Sequence, residues 1–306
     1  MLSRGGSLGC GRCHVNSGRT IGPVPRRKAP KSRPLPPRWV SLARAVHPFP
    51  SLLVTAVTAG IAFIAVSDPP LGTVAVLAAG MLCFQFAIGI ANDVADAPED
   101  AATKPWKAIP RGVLSRQQAV AATAGFAGAG MLVTSGLPFG AWLVGLGGLV
   151  CGLLYDVQFK RTALSWLPLA VALPLVPVWV YLSLDAWDQV LWWVFPLGGL
   201  LGLSLHLANQ LPDLAFEPGN RGAAHRIGAR RTMAASLGLY GAATVLASAV
   251  LFATSIAGLG ALVAFGALFT GSLASRSVSF FGRDGFFGLL ATSSALVGVI
   301  FLAGVG

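Results

Sequence analysis

Charge is what this chain has least of. Only 11% of its 306 residues are Asp, Glu, Lys or Arg, whereas an ordinary soluble domain carries roughly a quarter. With 55% hydrophobic residues and a mean hydropathy of +0.71, a soluble globule is excluded and a lipid-phase protein is implied. Cysteine is as scarce, at four residues. Cys83 and Cys151 fall inside apolar runs, where cysteine behaves as a small buried hydrophobe. Cys10, Cys13 and His14 spell C-x-x-C-H, the spacing that attaches c-type haem. A basic, featureless segment offers no haem pocket, and the second ligand pair of a structural zinc site is missing. That segment also lacks an apolar h-region, so no cleaved signal peptide is predicted.

Acidic residues are outnumbered 11 to 22, giving a formal net charge of +11. Spread round a globule, such an excess would suggest nucleic acid. Instead, ten of the 22 Lys and Arg lie at or before Arg44, in a Pro-, Gly- and Ser-rich stretch without helical or strand period. Residues 1–38 are therefore read as a disordered tail held near anionic headgroups, residues 39–306 as a transmembrane domain, and nucleic acid is rejected as a partner.

Apolar runs long enough to cross a hydrocarbon core of about 30 Å recur at 49–67, 71–91, 117–135, 139–155, 164–182, 189–210, 232–254, 257–275 and 285–304. The fold class is thus all-α, a polytopic membrane bundle of about nine transmembrane helices. The remaining basic residues all fall on alternate loops, while the opposite loops hold only Asp68, Asp185 and Asp188. The positive-inside rule then places the N-terminus and the basic loops in the cytoplasm and Gly306 outside. Trp187, Trp192 and Trp193 suit an external aromatic belt, and Pro168, Pro174 and Pro177 kinks that shape the bundle.

Two acidic constellations stand at the cytoplasmic ends of the second and sixth spans. The first reads N-D-x-x-D-x-x-x-D, with Asn92, Asp93, Asp96 and Asp100. Acids packed so densely at a membrane helix end repel one another and mark a cation or ion pathway. At 3.6 residues per turn Asn92, Asp96 and Asp100 lie near one face, drifting about 40° per step. The same N-x-x-x-D-x-x-x-acid spacing returns as Asn209, Asp213 and Glu217, so the domain is read as two internally similar halves. Each copy is followed by cations: Lys104, Lys107 and Arg111, then Arg221 and Arg226. Hard oxygen ligands without His or Cys favour Mg2+, and neighbouring cations call for an anionic polyphosphate.

The first constellation looks like the first aspartate-rich motif of the UbiA superfamily of intramembrane aromatic prenyltransferases, and the second resembles that superfamily's second motif. Lys104 to Gly112 (KPWKAIPRG) is similar to its basic, Pro-containing loop, and Tyr155 to Arg161 (YDVQFKR) to its Tyr-then-Lys segment. The likeness runs over roughly residues 40–306. It implies that Asn92, Asp96 and Asp100, with Asp93 beside them, hold one Mg2+, and that Asn209, Asp213 and Glu217 hold another. It also implies that Lys104, Lys160, Arg161 and Arg226 contact the diphosphate, with Asp96, Asp100 and Asp213 essential to catalysis. Glu217 stands where Asp is usual, and Gln210 where the first motif has Asp93.

Tyr155 reads either as an interfacial anchor or as a contact to diphosphate or acceptor. His206, one turn before Asn209, reads as a hydrogen-bonded packing residue rather than a base. The expected chemistry is Mg2+-dependent transfer of a polyprenyl group from its diphosphate to an aromatic or lipid-like acceptor. Phosphoribosyl transfer to a polyprenyl phosphate and secondary transport are the competing readings. A transporter would carry its functional charges near the bilayer midplane, whereas these clusters sit at helix ends. The D-x-x-D-G-x-x-A-R signature of CDP-alcohol phosphatidyltransferases is absent.

Overall fold

The computed structural model describes residues 35–212, 214, 221–254, 257–280 and 282–305. The basic tail through residue 34, with its C-x-x-C-H, and the second-motif acids Asp213 and Glu217 lie outside the described residues. Every regular element among those described is helical. In chain order they are α1 (Arg38–Arg44), α2 (Pro48–Ala65), α3 (Leu71–Thr103), α4 (Arg116–Val133), α5 (Phe139–Leu154), α6 (Leu167–Ser183), α7 (Val194–Gln210), α8 (Ala223–Ile227), α9 (Ala229–Ala253), α10 (Ala257–Phe280) and α11 (Gly282–Val305).

Each of the nine expected spans falls on one of the longer helices. Among the described residues seven helical segments are long and apolar enough to cross a membrane, and α6 and the 257–271 part of α10 are shorter apolar helices. The boundaries move for local reasons. Residues 189–193 form a 3-10 turn capped by the Asp188 carboxylate, which accepts from the Val190 N–H at 2.9 Å, so α7 starts only at Val194. The largest change is α3, expected to stop at residue 91 and in fact 33 residues long.

At 1.5 Å per residue α3 is about 50 Å long, so some 20 residues cross the hydrocarbon and its last three turns project beyond it. Those turns carry the first acidic motif. Pro98 is accommodated inside the helix at the cost of the bond to the Val94 carbonyl.

Neighbours in sequence pack as neighbours in space: α3 on α4, α5 on α6, α6 on α7, α9 on α10 and α10 on α11, while α11 closes back onto α2 and α7. At the seam between α6 and α7 backbone lies against backbone. A Cβ at Gly202 would lie 2.5 Å from the Leu169 carbonyl oxygen, and one at Gly198 2.9 Å from Pro174. Both glycines are needed because backbone meets backbone there. The interior holds the fully buried Trp179, Tyr181, Phe286 and Phe301. Leu132 and Leu268 keep 75% of their surface exposed, as lipid-facing side chains do.

Candidate active site

The projecting end of α3 sorts its polar side chains into two rows. Positions seven apart differ by only about 20° on a helix, against about 40° for positions four apart. Asp93 and Asp100 accordingly face one way and Asn92 and Asp96 another. Asp93, Asp96 and Asp100 are all buried. Asp100 also stands in the last turn of α3, where the backbone's partial negative charge adds to its own. Such a cluster requires cations, and two segments deliver them.

The first is the turn after α3. Lys107 Nζ donates to Asp93 Oδ1 at 2.8 Å and to Asp100 Oδ2 at 2.6 Å, and Lys104 Nζ stands 3.8 Å from Asp100 Oδ1. His47, on the approach to α2, adds a contact from Nε2 to Asp93 Oδ1 at 3.2 Å. The turn is clasped from behind. Arg111 Nη1 donates to the Pro36 carbonyl (2.6 Å) and to Ser41 Oγ (2.7 Å), and the Ser41 hydroxyl donates to the Trp106 carbonyl (2.8 Å).

The second is the end of α5, where Tyr155–Phe159 widen into a π-helical turn closed by the Lys160 N–H on the Tyr155 carbonyl at 2.8 Å. Such turns recur at functional sites because they redirect one side chain. Here Lys160 is aimed at Asp96 Oδ2, 2.5 Å away. Asp156 Oδ1 accepts from Asn92 Nδ2 at 2.8 Å, and its buried Oδ2 has no hydrogen-bond partner among the described residues. Arg161 pairs with Glu99 at 3.3 Å on the more exposed side. Burial pulls the Lys107 ammonium down, but Asp93 and Asp100 together outweigh it and leave its pKa above the ordinary lysine value. The same contest between burial and Asp96 raises Lys160. Both groups therefore remain cations.

These charges open onto a cavity of about 640 Å³. Asn92, Asp96, Lys104, Lys107, Tyr155, Asp156, Lys160, His206 and Asn209 line its polar end, and the rest of its wall is mostly apolar side chains of α2, α3, α5, α6, α7 and α11. Asp93 and Asp100 stand behind Lys107. Asn209 is exposed at the mouth, and the Tyr155 ring packs edge-on against His206 at 5.7 Å. Arg226 is exposed and donates from Nε to the Arg221 carbonyl at 3.1 Å, away from the residues lining the cavity.

Three participants were not singled out from the sequence. Lys107 was one basic residue among several, and the seven-residue spacing of Asp93 and Asp100 is the signal for it. Asp156 is a lone acid at the end of an apolar helix, itself a functional marker. Nothing in the pattern marks His47.

The donor set fits a hard divalent ion, because Asn92, Asp96, Asp156 and Asn209 bring carboxylate and amide oxygens to the polar end. Among the described residues no three His, Cys, Asp or Glu side chains converge closely enough to hold one; Asp93 and Asp100 pair with Lys107 and Asp96 with Lys160 instead.

Residues 52–285 match the UbiA prenyltransferase family. The chain belongs to that family. It is accordingly an integral, multi-pass membrane protein and a transferase of prenyl groups. Solved structures of similar fold include a UbiA homolog from Archaeoglobus fulgidus bound to GPP and Mg2+ (TM-score 0.69, 15% identity, covering 86% of this chain and 99% of that one). A UbiA homolog from Aeropyrum pernix K1 in the apo form is alike at TM-score 0.66 and 18% identity, over 83% and 96% of the two chains. A structure of digeranylgeranylglyceryl phosphate synthase aligns at TM-score 0.60 and 11% identity, over 88% and 97%. Comparison with curated proteins finds no match. At these identities the structural likeness establishes the fold.

Proposed function

We propose that the chain binds a Mg2+-complexed prenyl diphosphate at the polar end of the cavity, ionises it, and passes the prenyl group to a hydrophobic, electron-rich acceptor. One observation carries this reading: a cluster of acids and lysines opens directly onto a 640 Å³ cavity with a mostly apolar wall. A diphosphate head and an isoprenoid tail need that combination. The Archaeoglobus fulgidus homolog, whose structures hold GPP or DMAPP with Mg2+, supports it.

Asn92, Asp96 and Asp100, backed by Asp93, would hold one ion, and Asn209, Asp213 and Glu217 the second. When bound, magnesium supplies positive charge to the developing diphosphate leaving group. Lys104, Lys107 and Lys160 neutralise its oxygens, with Arg161 and Arg226 farther out. Fixed charges of this kind contribute through being in place before the C–O bond breaks. The apolar wall keeps water from the allylic cation until the acceptor's carbon forms the new bond. The proton then lost by the acceptor can pass to Asp156 Oδ2, which lies in the polar wall without a hydrogen-bond partner among the described residues. The basic loops and the N-terminus are assigned to the cytoplasm, and the tail expected over residues 1–38 is shortened to stop before Pro36, whose carbonyl accepts from Arg111.

The test is incubation of purified protein with Mg2+, prenyl diphosphates of graded length and a panel of quinone precursors and lipid alcohols, with products identified by mass spectrometry. Prenylated acceptor formed only with Mg2+ is the expected result. Intact diphosphate under every condition would defeat the proposal.

A further inference from the structure

One buried group at the polar end has no part in the chemistry above. His206 is 1% exposed and lines the cavity one turn before Asn209. Its Nε2 lies 3.0 Å from Ser165 Oγ, while its buried Nδ1 has no hydrogen-bond partner among the described residues. An imidazole buried only for packing would turn its polar atoms to partners, because an unmet buried donor costs about 1–3 kcal/mol.

The surrounding bonds fix which nitrogen carries the proton. Ser165 is fully buried, and its Oγ already accepts the Ala223 N–H at 3.1 Å. A hydroxyl oxygen accepts up to twice, so the direction turns on its hydrogen: among the described residues that hydrogen has no partner other than His206 Nε2, and the pairing that satisfies the buried serine has it donate and Nε2 accept. In the neutral ring the proton then sits on Nδ1. The Tyr155 ring, edge-on at 5.7 Å, covers one side of the imidazole.

We infer that His206 Nδ1–H is a substrate-binding donor, held in this tautomer by Ser165, that receives an oxygen at the border between the anionic mouth and the apolar cavity. The inference rests on the function proposed above. Three residues along α7 is about 4.5 Å, so Nδ1–H lies one turn deeper than Asn209. An oxygen at that depth belongs either to the prenyl end of the diphosphate or to a hydroxyl or carbonyl of the acceptor. Both are hydrogen-bond acceptors, and the experiment separates them. Ser165 becomes a positioning residue, linking the segment after Lys160 to α7 and to the start of α8.

The test uses two replacements that each keep half of the imidazole. His206→Asn retains an N–H donor at the δ position and loses the ε atom, whereas His206→Gln retains an atom near Nε2 for Ser165 and loses the δ donor. Binding of geranyl diphosphate with Mg2+ to full-length protein in detergent is measured by titration calorimetry. Turnover with the acceptor found in the product screen is measured alongside, and thermal unfolding reports folding.

If the oxygen is the diphosphate's, Gln weakens geranyl diphosphate binding about 5- to 20-fold and Asn stays within about 2-fold of wild type. If it is the acceptor's, diphosphate binding is unchanged in both, and Gln alone raises the acceptor KM by a similar factor. Gln equal to wild type with Asn impaired would reveal a purely structural role and overturn the inference, as would two variants both equal to wild type. Should either variant fail to fold, the wild-type protein decides through ¹⁵N-histidine NMR. A ring protonated at Nδ1 and bare at Nε2 is expected, with Nδ1 shifting on adding Mg2+ and geranyl diphosphate if the oxygen is the diphosphate's, or on adding the acceptor if it is the acceptor's. A ring protonated at Nε2 would overturn the inference. Loss of all diphosphate binding in wild type would instead indict the proposed function.

Discussion

Replacing Asp96 by Asn separates what the Asp96–Lys160 pair does for stability from what it does for chemistry. The side chains are only 5% and 10% exposed and meet at 2.5 Å. Removing one partner of such a pair leaves the other charge buried alone and costs about 3–5 kcal/mol. The rest of the bundle keeps the variant folded in detergent, with a lowered unfolding temperature. Turnover should fall at least about 10²- to 10³-fold, the usual loss for one preorganised electrostatic group. Adding Lys160→Met removes the stranded ammonium and should recover much of the stability, because the cost of breaking a buried pair lies mainly in the uncompensated charge left behind. It should recover none of the turnover, since both charges are then missing from the polar end. The assay pairs thermal unfolding with radiolabelled geranyl diphosphate turnover. Near-wild-type turnover in Asp96→Asn, or activity returning with stability in the double variant, would refute the assignment of this pair to the site.

Further outcomes follow from the same contacts. Deleting residues 1–34 should leave specific activity unchanged, whereas deletion through Ala45 should reduce it, because Ser41 and the Pro36 carbonyl anchor Arg111 behind the turn that carries Lys104 and Lys107. Gly202→Ala should destabilise the bundle by about 1–3 kcal/mol through overpacking of α6 against α7, read as a lower unfolding temperature. Gly148→Ala is the control, since a Cβ there meets nothing within 4 Å. Asp213→Asn should impair catalysis as severely as Asp100→Asn, and the double variant should fall well short of additive if one diphosphate bridges both motifs. An additive cycle in folded variants would mean that the second motif binds something else.

The membrane-spanning helices were legible because apolar runs and loop charges are direct consequences of the bilayer. The end of α3 was not, because its polar residues look like a loop. It stays helical since each acid finds a cation: Asp93 and Asp100 find Lys107, and Asp96 finds Lys160, 64 positions away. Asn92, Asp96 and Asp100 were expected on one face. The structure divides them, because the 40° drift per step carries Asp100 round towards Asp93. Lys160 could be named from its segment, but the π-helical turn that aims it has no sequence signal. His206 was read as a packing residue, and only the donor geometry around Ser165 reveals an unsatisfied N–H beside the cavity.

The central claim, that the acids and lysines at the end of α3 form a Mg2+-dependent site for a prenyl diphosphate, is tested most directly by calorimetric titration of geranyl diphosphate into the purified full-length protein. Binding should be saturable with Mg2+, abolished by EDTA and restored by added Mg2+, and lost in Asp100→Asn without loss of fold. Binding of equal strength with and without the metal, or unchanged in Asp100→Asn, would contradict it.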